Sequence, residues 1–210
     1  MATPDLIQHL VSDLSPRSGA PIATRLATVT AAASLVCLAL ILMLFSKSPY
    51  FLQGPTLAIG VTAAGGVTLA AAAFWGMLRL SYPESRPELV WLIVPVAIVL
   101  FGLVVEIAQM PRGMWQQRLI GDNPLGCLFS VLLLSLPILF AAMLVLRQGA
   151  PSRPQISGAM AGLLAGGITA TLYTIHCPED SLLYIAAWHV PAVVLLAGLG
   201  ALLGNRYLRW

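Results

Sequence analysis

Charge is what this sequence has least of: 11 Lys or Arg and 8 Asp or Glu make up 9% of its 210 residues. An ordinary soluble domain carries roughly 25%. Apolar residues make up 59%, so a water-facing shell cannot be assembled, and a soluble globular enzyme is excluded. An intrinsically disordered chain is excluded as well, because such chains are poor in the Leu, Val, Ile and Ala abundant here. Catalytic signatures are also missing: there is no HExxH, no phosphate loop, no Ser-His-Asp set and no intramembrane carboxylate pair. No enzyme is expected, and no cofactor. With only three cysteines and no Cys-x-x-Cys, the usual thiol redox pair is absent too.

What is present is a set of long apolar runs. A membrane-crossing helix takes about 20 apolar residues, and six stretches qualify: about 26–45, 56–78, 89–108, 125–146, 156–175 and 183–203. The gaps carry turn chemistry, as in Ser48-Pro49, Tyr82-Pro83-Glu84, Met110-Pro111-Arg112-Gly113, Gly149-Ala150-Pro151 and Cys177-Pro178-Glu179-Asp180. The expected fold is therefore all-α. It is an integral membrane bundle of six transmembrane helices at 26–210, preceded by a short cytoplasmic segment at 1–25. The first run is longer than the roughly 7–15 residues of a signal-peptide core. It continues apolar past Cys37, so it reads as a retained span with Cys37 as packing.

Basic residues set the orientation. With the N-terminus inside, Arg17, Arg25, Arg79, Arg86, Arg147, Arg153, Arg206 and Arg209 lie on the cytoplasmic side, against Lys47, Arg112 and Arg118 outside. Both termini are then cytoplasmic. The closing Tyr207-Leu208-Arg209-Trp210 suits an interfacial anchor.

The N-terminal segment carries its own helix signal. Thr3 is a good N-cap, Pro4 fits the first turn and Asp5 faces the positive helix end. Leu6, Ile7, Leu10, Val11 and Leu14 follow at helical spacing, opposed by Gln8, Ser12 and Asp13, until Ser15-Pro16 stops the run. A helix of about three turns is marginal alone, so its apolar face needs a surface: the bilayer, its own bundle or a partner's groove. Membrane-surface helices are usually basic, whereas this one has two acids and no Lys or Arg before Arg17. That argues for a basic protein partner.

A second constellation gathers on the opposite, outer side. Cys127 opens the fourth span, His176 and Cys177 lie in the fifth loop, Glu106 ends the third span and His189 sits about two turns into the sixth. The cysteines read as helix-end packing, as a disulfide in an oxidising exterior, or as a responsive thiol or soft-metal site made by Cys127, Cys177 and His176. Glu106 is expected to pair with Arg112 or Arg118. One internal echo stands out: Ala64-Gly65-Gly66-Val67-Thr68 matches Ala165-Gly166-Gly167-Ile168-Thr169. It reads as tight helix packing by small residues or as the trace of an inverted repeat. The latter supports an alternative function, a small six-span transporter or channel. A membrane thiol–disulfide enzyme is a further rival, supported by Cys127 and Cys177.

In order and spacing the chain resembles the NrsF family of bacterial inner-membrane anti-sigma factors. The resemblance rests on Thr3-Pro4-Asp5-Leu6-Ile7-x-x-Leu10, on Trp115 and Cys127, and on Gly149-Ala150-Pro151-x-x-Pro154. It continues in the Gly-rich fifth span, Tyr173-x-x-His176-Cys177-Pro178-Glu179-Asp180, Trp188 and Arg209-Trp210. One departure is Pro16-Arg17-Ser18-Gly19, where a Pro-Val followed by basic residues is expected. The resemblance implies six spans in the bacterial inner membrane and an N-terminal segment that holds an extracytoplasmic-function sigma factor. It also implies cysteines, matching Cys127 and Cys177, that matter for the response to stress. The implied partners are that sigma factor and the lipid bilayer, with no direct contact to nucleic acid; the oligomeric state is not implied.

Overall fold

The computed structural model describes residues 21–45, 56–81, 89–149, 151, 153–177 and 179–208, apart from the side chain of Arg112. The amphipathic segment with Asp5, Leu6, Ile7, Leu10, Val11 and Leu14 lies outside the described residues, as do Lys47, Arg86 and Arg209-Trp210.

All regular structure among the described residues is helical: α1 (Ile22–Leu44), α2 (Leu57–Leu80), α3 (Ile93–Gln109), α4 (Trp115–Ile120), α5 (Pro124–Leu146), α6 (Pro154–Tyr173) and α7 (Leu182–Tyr207). Short 3-10 turns, Leu89–Leu92 and Arg112–Met114, lead into α3 and α4. Six helical stretches are long and apolar enough to cross a membrane, α4 and α5 counting as one. Helix starts follow local chemistry. Thr56 caps α2 by accepting the Ile59 N–H at 3.2 Å, and Asn123 caps α5 by accepting that of Gly126 at 3.0 Å. Proline opens α5 and α6 at the first turn, where its missing N–H is not needed. α1 begins at Ile22 rather than Leu26, and α7 runs on to Tyr207 rather than Leu203.

Several hydroxyls on these apolar helices turn back onto their own backbone, whereas those of Thr62, Ser157 and Thr169 are buried without a hydrogen-bond partner. Thr30 donates to the Leu26 carbonyl at 2.6 Å, Ser135 to Val131 at 2.6 Å and Thr171 to Gly167 at 2.9 Å. Such internal satisfaction is what surroundings without water demand.

α6 is the most enclosed helix, with 61% of its most apolar stretch buried, and the α3 stretch is the least, at 11%. Small residues bring α6 and α7 into backbone contact. A Cβ on Gly158 would stand 2.1 Å from the Gly200 carbonyl oxygen, and one on Gly162 2.1 Å from that of Leu196. Gly200 and Gly204 meet Gly158 and Pro154 in the same way. On its other side α6 crosses α2, and here the internal echo finds its place. Gly66 and Gly167, the equivalent glycines of the two copies, face each other: a Cβ on Gly66 would lie 2.7 Å from the Gly167 oxygen. The two copies therefore pack on one another, small residue against small residue.

α1 packs mainly against α5, and its first turn is fixed where Arg25 donates to the Gln148 side chain at 2.9 Å. Cys37 is fully buried in the main core. The bundle thus has two ends: a tail end, at the starts of α1 and α6, and a loop end, where residues 110–123 meet residues 174–177 and 179–181.

Candidate functional site at the loop end

The loop end is stitched together by residues from nearly every element. Asp180 accepts a hydrogen bond from the Thr56 hydroxyl at 2.6 Å, tying the last loop to α2. Its carbonyl accepts from Arg118 of α4 at 3.1 Å. The Glu179 carboxylate accepts the Asp122 N–H at 3.1 Å. Tyr184 donates to the Asn123 carbonyl at 3.0 Å, and Trp188 to that of Leu119 at 2.9 Å, fixing α7 against α4 and the turn after it. That turn needs glycine at 121: φ is +60°, and a Cβ would also lie 2.5 Å from the Tyr184 ring.

Glu106 has a role that the sequence did not suggest, and of its two expected partners only Arg118 has a described side chain. Its carboxylate accepts from the Ser181 hydroxyl at 2.7 Å and from the Leu182 N–H, so it caps α7, while Arg118 reaches the Asp180 carbonyl instead. A free helix N-terminus offers unpaired N–H groups and partial positive charge, and a carboxylate satisfies both.

Inside this stitched rim lie both thiols. Cys127 faces inward from the first turn of α5, whose register is set by the Asn123-Pro124 start; its N–H bonds the Asn123 carbonyl at 3.1 Å. Cys177 ends the turn after α6, its N–H bonded to the Tyr173 carbonyl at 2.9 Å. His189 reaches in from the second turn of α7. The Cys127 sulfur and His189 Nε2 are 3.2 Å apart, and the donor atoms of Cys127, Cys177 and His189 all lie within 4.8 Å of one another. All three residues are buried, at 4%, 7% and 4% exposure. Each cysteine is a thiol in this structure. The hydrogen bond with Cys127, together with burial, raises the pKa of the Cys177 thiol above its ordinary value.

His176, which the sequence groups with the thiols, is not a member of this cluster. Its ring packs on Phe45 with centroids 4.5 Å apart and on Tyr173 at 5.2 Å. Tyr173 stands between the two imidazoles, with its other edge-to-face partner, His189, at 5.7 Å. Sequence reading placed His189 on the correct side but did not select it. Tyr173 and Tyr184 it did not single out as walls of the site.

Two thiols and an imidazole support two kinds of chemistry. A dithiol can be oxidised, and the Cys2His donor set suits soft or borderline cations.

The family described as NrsF, negative regulator of sigma F, matches residues 10–210. A probable anti-sigma-F factor from Azospira oryzae is 32% identical over 149 residues, 68% of each chain. The anti-sigma-F factor of Caulobacter vibrioides is 31% identical over the full length of both. No solved structure matches.

Proposed function

The chain belongs to the NrsF family of negative regulators of sigma F, and from that premise we propose that it is a membrane-bound anti-sigma factor for an extracytoplasmic-function sigma factor. The observation that carries this is the full-length similarity to an anti-sigma-F factor.

The physical reading supports the membrane and docking parts. Five of the six long helices, all but the enclosed α6, present large apolar side chains outward, among them Met43, Trp75, Phe101, Phe140 and Leu202. Apolar surface on that scale is untenable in water and natural in lipid. The basic residues Arg25, Arg79, Arg147, Arg153 and Arg206 belong to the tail end, which becomes the cytoplasmic face of the bacterial inner membrane. The docking element is the N-terminal segment: Leu6, Ile7, Leu10, Val11 and Leu14 fill an apolar groove of the sigma factor, and Asp5 meets its basic surface. Bound there, the sigma factor is kept from RNA polymerase.

Release is triggered at the other end, by metal or oxidant stress acting at Cys127 and Cys177. The route between the ends is mechanical. Loop 177–181 is tied to α2, α3 and α4, and α7 is locked backbone to backbone on α6 down to Gly204. A change at the thiols therefore shifts helices as bodies. Such a shift releases the partner only through a difference in affinity between two bundle states.

Full-length protein in nanodiscs, mixed with a purified sigma F-type factor from the same organism, is expected to retain that factor on size-exclusion chromatography. A chain lacking residues 1–20 is expected to retain none. Equal retention by both would remove the N-terminal segment from the account.

A further inference from the structure

We infer that Cys127, Cys177 and His189 form a three-donor binding site for a soft closed-shell cation of the Cu+, Zn2+ and Cd2+ class, with His189 Nε2 as a direct ligand. The inference rests on the proposed signalling role of the thiols and goes beyond it by naming the third donor and the class of ligand.

Four observations converge. The three donors come from separate elements, α5, the loop after α6, and α7, and all lie within 4.8 Å of one another. Donors on one ion stand roughly 3.3–4 Å apart, given Zn–S and Zn–N bonds of about 2.3 and 2.0–2.1 Å. The site therefore closes on an ion with small movements of its side chains. Second, Nε2 already faces the Cys127 sulfur at 3.2 Å, so the imidazole needs no reorientation. Third, the other ring nitrogen, Nδ1, is buried and has no hydrogen-bond partner. A satisfied core histidine places both nitrogens, because an unpaired buried polar atom costs about 1–3 kcal/mol. Here the ring's one hydrogen-bonding contact is with the Cys127 sulfur, while Tyr173 packs edge-to-face against it and leaves Nδ1 free to take an outer partner once the ring is a ligand. Fourth, the cluster has a small crevice beside it, of about 10 Å³, whose lining includes Cys177, Glu179 and Asp180. That is room for about one water, with two carboxylates to attract a cation.

Binding would be a ligand exchange without redox change. The cation sheds waters, the two thiols give up their protons to solvent, and two thiolates and a neutral imidazole complete the site. Because α5 and α7 each supply a donor, closing on the ion draws them together at the loop end.

Cd2+ is a suitable probe, added anaerobically to the reduced full-length protein in detergent micelles. The thiolate-to-cadmium absorption gives affinity, and the 113Cd NMR shift reports the donor set. The expected result is one Cd2+ per chain with two sulfurs and one nitrogen. His189→Ala should weaken binding by more than the roughly 10–100-fold that loss of an outer partner costs and move the NMR shift, whereas His176→Ala should leave both unchanged. The shift in the unmodified protein reads the nitrogen donor directly, so the test does not depend on the variant folding. A two-sulfur site without nitrogen, or unchanged binding by His189→Ala, overturns the inference, and so does absence of binding. None of these touches the reading of the thiols as signal receivers, which fails separately if variants lacking both thiols still release the sigma factor under stress.

Discussion

Leu10→Asp is expected to abolish retention of the sigma factor while leaving the six-helix bundle intact. Leu10 sits centrally in the apolar stripe Leu6, Ile7, Leu10, Val11 and Leu14. A central apolar anchor at a protein interface typically contributes about 2–4 kcal/mol, and a carboxylate there must also be desolvated. The loss corresponds to roughly 30- to 700-fold in Kd. Isothermal titration of the nanodisc-embedded variant with the sigma factor measures it. In cells the same variant should leave sigma-dependent transcription permanently on. Gln8→Asp, on the opposite face, adds the same charge where the stripe does not reach, and should weaken binding far less. Equal losses from both would mean that charge rather than the stripe governs docking.

The second large effect belongs to the bundle. Gly162→Leu should prevent α6 and α7 from meeting. Even its Cβ would lie 2.1 Å from the Leu196 carbonyl oxygen, and backbone cannot step aside as a side chain can. Overpacking ordinarily costs about 1–3 kcal/mol, occasionally more; backbone against backbone at the most enclosed helix belongs at the upper end or beyond. The expected readout is loss of the thermal transition in detergent, or a large fall in Tm. Gly198→Ala is the matched control. Gly198 lies on α7, the helix that Gly162 meets, but on its exposed side, and a Cβ there meets nothing within 4 Å. Its effect should stay within about 1 kcal/mol, the helix-propensity difference between the two residues.

These two positions also mark what the sequence makes legible. Hydropathy alone places the six long helices, because each run is long and apolar enough to cross a membrane, although several ends differ by a few residues. The Gly-rich pattern of the second and fifth spans announces close packing, although only the structure shows Gly66 and Gly167 facing each other. Helix α4 was not legible: six residues, Trp115–Ile120, are too few to show a period.

The site was half legible. Cys127 and Cys177 were marked by residue type, but His176 was favoured as their companion because it adjoins Cys177 in the chain. Chain neighbours need not point the same way. His176 turns to Phe45, while His189, far off in sequence, arrives at the depth of Cys127. That depth depends on the register of α7 against α5, set by contacts such as Tyr184 with the Asn123 carbonyl, which no local pattern encodes. The capping role of Glu106 is missed for a related reason. Charge suggests a charged partner, whereas the unpaired N–H groups of a helix start, here that of α7, are visible only once helices are placed.

The central claim is that the thiol end governs the grip of the tail end. The direct measurement is the Kd of the sigma factor for the nanodisc-embedded protein, where both faces are open to reagents, before and after exposure to Cd2+ or a thiol oxidant. The unmodified protein is expected to lose affinity by about tenfold or more, a differential of about 1.4 kcal/mol between bundle states. The Cys127→Ser/Cys177→Ser double variant is expected to bind equally well throughout. An unmodified protein whose Kd does not move, or a double variant that responds just as strongly, would contradict the account.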